Sequence, residues 1–425
     1  MWWEIKNHLE VKAGRLLIGG FDAAKLAERY GTPLYVYNGE RIIENYKRIY
    51  GLMKNHSDRN VRVYYAVKAN SSLAVLKLLS AAGACADVVS PNEARLAVDA
   101  GFSRDRIMFT GTSVSDEDLQ QLAKLGVMIN VDSFSQMRRL ANLGEFRVSV
   151  RWNPGEGAGL HEHTITAGKY VKFGIPESRV LEAFREAKKL GLDPVGLHQH
   201  IGSGWLGADV DVFLQTVEKT LHIAKKITDV MEKDLEFVDF GGGPGIPYKQ
   251  EDGEFPLEKY TYGLCRLVKQ SGLKFGAIAI EPGRYIVGDA GILLTRINTV
   301  EEKGVPVMGV DAGFNSLIRP AFYGSHHEMV ICSRAGAQPE KEWLVAGNLC
   351  ESGDVFNENK KTLRPMPTPE EGDVLAILNA GAYGFAMASR YNSRFPPAEV
   401  LVMRGRDALI RKRETYGDLL RGQAV

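Results

Sequence analysis

Between residues 60 and 285 the chain repeats one unit eight times: a short apolar or β-branched run, a small or polar residue, then a stretch with helical periodicity. The runs are VRVYYAV (61–67), CADVV (85–89), RIMFT (106–110), VMINV (127–131), RVSVRW (147–152), VGLHQH (195–200), EFVDF (236–240) and AIAIE (277–281). Segments such as PNEARLAVDAG and SDEDLQQLAKLG lie between them, opening on Ser, Pro or Asp and closing at Gly, as capped helices do. Alternation of strand and helix implies a parallel sheet, and eight units imply a closed (β/α)8 barrel of the TIM type; an open doubly wound sheet is the alternative.

After Glu281 the pattern changes. Runs such as GILLTRINTV, PVMGVDA, EMVICS, DVLAIL and AEVLVM are separated by Gly, Pro, Asn and Asp, which predicts an antiparallel β-sandwich or β-barrel domain. At the other end, LEVKAGRLLIGG predicts two strands about a turn at Ala13–Gly14, followed by a capped helix from Asp22 to Tyr30 that Gly31 and Pro33 stop. A hairpin needs a sheet to join, so it is assigned to the C-terminal β domain. The expected division is a barrel over 33–285 and a β domain over 1–32 and 286–425, in keeping with 425 residues being too many for one core.

Charge narrows the partners. With 53 basic and 52 acidic residues the net charge is +1, which leaves no electrostatic footprint for nucleic acid or an anionic membrane and favours a small-molecule partner. The N-terminus MWWEIKNHLEVK carries charge too early for a signal peptide, and no apolar run approaches the roughly 20 residues of a membrane helix. A cytoplasmic protein is expected. Cys85, Cys265, Cys332 and Cys350 lack CxxC spacing, which argues against a disulfide framework and a zinc site. His161, His163 and the pair His326–His327 have no partners at ligand spacing and are read as solvated or hydrogen-bonded, with no metal expected.

In a (β/α)8 barrel chemistry collects at the C-terminal ends of the strands. Those ends carry Lys68, Asp87 and Ser90, Arg151, His200, the run Gly241–Gly242–Gly243, and Glu281–Pro282–Gly283–Arg284. A glycine run after the seventh strand suits an anion such as phosphate, although it is also an ordinary tight turn. A lysine amine attacks carbonyls only when neutral, and burial favours the neutral form. Pyridoxal phosphate offers both an aldehyde and a phosphate, and a carboxylate at its ring nitrogen, here Glu281, would keep the ring an electron sink. Singly each residue has a plainer reading: Lys68 as a snorkelling lysine, Glu281 bridged to Arg284, His200 as a core histidine.

The strings YAVKAN, ADVVSPNEARLAVDAGF, KFGI, HQHIGS, FGGGPGIPY, EPGR, DAGFNSLIRPAFYGSHH, CESGDVF and GAYGFAMASRYNSR cover nearly the whole chain. In order and spacing they resemble the diaminopimelate decarboxylases, pyridoxal-phosphate enzymes of the alanine-racemase-like fold among the group IV decarboxylases. The resemblance implies that Lys68 bonds to the cofactor aldehyde and that Asp87, His200, Ser203, Gly241, Gly242, Gly243, Glu281, Gly283, Arg284 and Tyr383 contact the cofactor. It further implies that Arg284 meets one substrate carboxylate, that Arg319 and Tyr323 hold the far one, and that Glu351 binds the second amine. Tyr383 would also touch substrate, and Cys350 would donate a proton. A homodimer is implied, with the CESGD loop entering the partner's site, and the β domain completing the site and the dimer interface. The implied reaction converts meso-2,6-diaminopimelate to L-lysine and CO2.

The residues agree with that assignment, because a substrate with an amino-acid group at each end needs a second carboxylate site, and the planar fork of Arg319 pairs bidentately. A decarboxylase of another charged-tail amino acid has no use for that arginine. An amino-acid racemase avoids the strong ring protonation that Glu281 implies, and a non-catalytic cofactor carrier would lack the second domain. The chain departs from the family pattern at SPNE (90–93), at Ala167 in HEHTITAGKYV, and at Arg390 and Phe395, which bears on loop geometry and dimer packing more than on the reaction.

Overall fold

The computed structural model describes residues 1–155, 157, 159, 161 and 166–424, so His163 and its immediate neighbours in the loop before KFGI lie outside the described residues. The chain divides into two compact units. One comprises Ile43–Pro247 and Gly253–Ile286; the other comprises Met1–Ile42, Tyr248–Asp252 and Val287–Val425.

The first unit is a closed barrel of eight parallel strands. In order they are Asn60–Ala66, Cys85–Val88, Ile107–Phe109, Met128–Val131, Arg147–Asn153, Asp193–His198, Leu235–Asp239 and Phe275–Ile280, the last pairing back onto the first. A two-residue strand, Ile175–Pro176, adds to the edge of Arg147–Asn153. Local chemistry sets the helices between them. Ser90, Ser115 and Ser133 each accept a hydrogen bond from the backbone N–H three residues on, and the left-handed glycines Gly83 and Gly126 end helices that close at Ala82 and Leu125. In SPNE Ser90 takes the Glu93 N–H, and Glu93 takes the N–H of Val89, the residue before the cap, at 2.8 Å, so this departure from the family pattern still makes a hydrogen-bonded helix start.

Strand periodicity sorts the barrel interior into layers. Cys85, Phe237 and Ala279 share a face with Asp87, Asp239 and Glu281, each two residues further on. The first three belong to an apolar cluster with Tyr64, Met108 and Val195. The acidic three are buried too, so the end of the barrel that carries the strand C-termini has a polar floor.

The second unit holds a nine-stranded sheet and a separate three-stranded one. The N-terminal hairpin, Leu9–Lys12 with Arg15–Ile18, is present as expected but forms the small sheet with Phe21–Asp22 and does not enter the large one. It stays with this unit through its core, where Leu9, Leu16 and Ile18 pack among Leu34, Val36, Ile292 and Val400. Residues 33–42, expected at the start of the barrel, fall here as well: Leu34–Asn38 pairs with Gly291–Glu302 and with Ala398–Met403. The large sheet is mainly antiparallel, with two parallel pairings, Leu34–Asn38 on Ala398–Met403 and Pro306–Val310 on Lys341–Ala346. Strands so distant in sequence have no tight turn to force them antiparallel. Among the described residues no helix is long and apolar enough to cross a membrane.

Candidate active site

A cavity of about 350 Å³ opens at the C-terminal ends of the barrel strands, lined by Lys68, Thr110, Arg151, Lys172, His200 and Glu281 among others. Lys68 sits in a 3-10 turn, Val67–Ala69, that follows the first strand directly. Its Nζ is 2.5 Å from Oδ2 of the fully buried Asp87, whose other oxygen accepts from Thr110 Oγ1. Burial and the nearby Glu281 charge raise the Asp87 carboxyl above its ordinary range, and Lys68 works against them.

The glycine run is placed where a side chain cannot go. A Cβ at Gly241 would stand 2.4 Å from Gln199 O and 2.8 Å from His200 Nδ1, one at Gly242 2.2 Å from the Glu281 carbonyl, and one at Gly243 2.2 Å from the Trp205 ring. Gly241 and Gly243 also have φ of +72° and +130°. The Gly242 N–H donates to His200 Nδ1 at 3.0 Å, which makes Nδ1 the acceptor and puts the proton of a neutral ring on Nε2. Burial, with Arg151 and Lys68 close by, holds the His200 pKa well below its usual value, so the ring is neutral. Glu281 follows the eighth strand, and its backbone N–H donates to Gly241 O at 2.9 Å. Its side chain meets His198 Nε2 at 3.1 Å. Burial pushes the Glu281 carboxyl up, opposed by Lys68 and Arg151.

The remaining expected residues of this unit lie around the same strand ends. Arg284 Nη2 donates to Ser203 Oγ at 3.5 Å, and Gly283 lies so close to Ala66 and Ala69 that a Cβ would meet each at 3.0 Å. Arg151, a strand-end residue with no role expected from the sequence, is buried, its Nη2 has no hydrogen-bond partner, and its guanidinium covers the Phe173 ring at 4.6 Å. Two polar residues beneath the cavity, His198 and Asp239, carried no assignment. The alternation HQH, which puts a second histidine two positions before His200, is the signal that could have found the first.

In the other unit Arg319, 3% exposed, opens a short helix, Arg319–Tyr323. Its Nη1 donates to Tyr248 Oη at 2.8 Å and to His327 Nε2 at 3.1 Å, its Nη2 donates to Ser325 Oγ at 3.3 Å, and it lies over the Tyr248 ring. His327 Nδ1 faces Leu378 O at 2.8 Å, so it carries the proton, and Nε2 is free to accept from the arginine. Tyr323 stands half-buried at the end of that helix. Tyr383, also half-buried, has φ of +56°, a left-handed conformation that costs an aromatic residue energy and is commonly kept for function. Cys350 and Glu351 are exposed, whereas Cys85, Cys265 and Cys332 are buried. Cys350 donates its backbone N–H to Asn392 and, with Asp311, Arg394, Phe395 and Arg413, lines a cavity of about 660 Å³. Arg390 pairs with Glu414 at 2.7 Å, Ala167 is buried, and His326 is hydrogen-bonded to Glu358 and Arg364.

The residues fit pyridoxal phosphate: an amine and a carboxylate face one cavity, a glycine cradle closes on backbone, and Arg151 has a buried donor unused. Comparison with known proteins points the same way. Residues 40–288 match the family model of the pyridoxal-dependent decarboxylases, pyridoxal binding domain. The chain is 48% identical to the diaminopimelate decarboxylase of Methanothermobacter thermautotrophicus, over 97% of this chain and 96% of that one, and 38% identical to that of Archaeoglobus fulgidus, over 97% of each. The crystal structure of the Methanocaldococcus jannaschii diaminopimelate decarboxylase in complex with L-lysine superposes with a TM-score of 0.90 at 33% identity, covering 99% of this chain and 98% of that one. Strand-end chemistry, the shared fold and similarity along nearly the whole length agree that the chain belongs to the diaminopimelate decarboxylase family of pyridoxal-dependent decarboxylases.

Proposed function

We propose that this protein decarboxylates meso-2,6-diaminopimelate at its D-centre, with pyridoxal phosphate as cofactor, to give CO2 and L-lysine. This is the last step of the diaminopimelate route to lysine, carried out in the cytoplasm, where four unpaired cysteines are at home. The observation that carries the reading is the meeting of Lys68, His200 and Glu281 at one cavity, with Asp87 held behind Lys68, near glycines that admit no side chain.

When bound, pyridoxal phosphate supplies an aldehyde for an amine and a ring that takes up the electron pair released as CO2 leaves. Lys68 would provide the amine that holds the cofactor, and Asp87 would keep that amine at the cavity wall. Gly241 to Gly243 and Ser203 would hold the phosphate, Gly283 lets the EPGR turn approach the first strand, and His200 would serve the cofactor ring. Glu281 would hold a proton at the ring nitrogen. Arg284 orients one substrate carboxylate, Arg319 with Tyr323 binds the far one, Glu351 binds the far amine, and Tyr383 contacts cofactor and substrate.

The bond from the α-carbon to its carboxylate breaks, and a proton must then take its place. The Cys350 thiol, an S–H donor, supplies that proton. Cys350 and Glu351 are exposed on their own chain, which suits a homodimer in which each CESGD loop serves the partner's site. The test is CO2 release, with added pyridoxal phosphate, from meso-diaminopimelate beside L-lysine, L-ornithine and L-arginine. Turnover of meso-diaminopimelate is expected to dominate, and preference for any of the other three overturns the reading.

A further inference from the structure

Beneath the cavity lies a histidine that the proposed reaction leaves without a task. His198 ends the sixth barrel strand, is fully buried, and places Nε2 3.1 Å from Glu281 Oε1. Asp239, at the end of the seventh strand, completes a buried trio in which one side-chain N or O atom from each residue lies within 4.8 Å of the others. Asp239 Oδ1 accepts the Gly241 N–H at 2.8 Å, whereas Asp239 Oδ2 and His198 Nδ1 have no hydrogen-bond partner.

Protons can be assigned within this trio. Burial, reinforced by Arg151 and Lys68, keeps the His198 pKa well below normal, so the ring is neutral and has one N–H. Burial and the Glu281 charge hold the Asp239 carboxyl well above its ordinary range, so Asp239 keeps its proton and only one of the two neighbouring carboxyls is charged. Burial raises the Glu281 carboxyl as well, while Lys68 and Arg151 favour its charge. An ionised Glu281 can only accept, so the His198 proton is on Nε2 and points at Oε1. The groups that surround Glu281 are thus Lys68, Asp87, Arg151, His198, His200 and Asp239, and Asp239 in turn faces Arg62, Tyr64 and Tyr260.

We propose that His198 is a positioning residue for Glu281: its Nε2–H donates to Oε1, fixes the plane of the carboxylate and keeps it ionised, leaving Oε2 to the ring nitrogen of the cofactor. This rests on the reading of Glu281 as the ring-nitrogen partner. The bond is worth most where it is, since a charge-assisted hydrogen bond in a dry interior has no water to replace it. Its Asp239 neighbour links the same trio to the glycine cradle through the Gly241 N–H.

The test uses the holoenzyme, in parent, His198→Ala and His198→Gln forms, and needs no substrate for its first readout: the visible absorbance of the bound cofactor across pH. Loss of one hydrogen bond to a charged group should move the acid-side spectral transition, and the acid limb of kcat, about one to two pH units upward in His198→Ala, with KM on the plateau unchanged. His198→Gln keeps an N–H near the Nε2 position and should restore both to within about half a unit. If His198→Ala is insoluble, His198→Asn, whose amide falls short of Glu281, takes its place with the same expected shift. A superimposable titration in the alanine or asparagine variant, or an equal shift in His198→Gln, overturns the inference. A parent protein that acquires no cofactor band refutes instead the functional reading on which it rests.

Discussion

Gly242→Ala is the most direct test of the glycine cradle. A Cβ there would stand 2.2 Å from the Glu281 carbonyl oxygen, with the Glu281 carbonyl carbon next at 3.1 Å. Both are backbone atoms that no rotamer change can move. To reach an ordinary contact the two strand ends must part by roughly 1.2 Å, a displacement of the overpacking kind that costs about 1–3 kcal/mol. The same shift stretches the 3.0 Å bond from the Gly242 N–H to His200, worth about 1 kcal/mol more. Since Glu281 and His200 both flank the cavity, most of this loss should fall on the cofactor, weakening pyridoxal phosphate about 10–100-fold at about 1.4 kcal/mol per decade. The assay is titration of the apoprotein with pyridoxal phosphate by absorbance, alongside thermal unfolding. Gly51→Ala is the control. It lies inside the helix Gly39–His56 with nothing within 4 Å of where the added methyl would stand, and it should stabilise by about 0.5–1 kcal/mol. A Gly242→Ala protein that binds the cofactor as tightly as its parent and melts at the same temperature refutes the cradle.

Lys68→Ala should abolish the absorbance of covalently held cofactor, while Cys350→Ala should keep that absorbance and lose turnover; mixing the two inactive chains under subunit exchange should restore some activity, and demonstrated exchange without recovery counts against a shared site. Arg319→Met should raise KM for meso-diaminopimelate about 10–100-fold with a smaller effect on kcat, as expected for a charge-assisted pair used in binding, and an unchanged KM removes the assignment. For pH, His198 and His200 have folded pKa values well below the ordinary value of about 6.5. The unfolded chain takes up protons below that pH which the folded one refuses, so their contribution is complete above about 6.5 and is lost on acidification, at about 1.4 kcal/mol per unit for each. The raised carboxyls Asp87, Asp239 and Glu281 act in the opposite sense, so the comparison of parent with His198→Gln isolates the histidine. Between about pH 7.5 and 5.5 the variant should lose about 1.4 kcal/mol less in denaturant unfolding, and parallel curves would contradict the assignment.

The barrel was legible because its information is local. Each strand announces itself by β-branched residues and each helix by a serine or aspartate cap and a terminal glycine, signals read within a dozen neighbours. Closure adds only the rule that parallel strands need covered faces. For the same reason the strand ends could be read in order, and Lys68, Asp87, His200 and Glu281 do meet at one cavity or on its wall.

What the tertiary structure decided depends on pairings between distant residues, for which single-chain periodicity holds no record. Leu34–Asn38 reads equally well as a strand of either unit; only its pairing with residues more than 250 positions away assigns it. The N-terminal hairpin needed a core and found one without sharing hydrogen bonds with the large sheet. His198 and Glu281 are 83 residues apart, and His327 touches Arg319 only because a short helix turns the chain back on itself. Residue type named the amine, the carboxylate and the glycines, since each chemistry has few candidates. Protonation, by contrast, follows from burial and from which charges stand nearest, and these exist only once the barrel has closed.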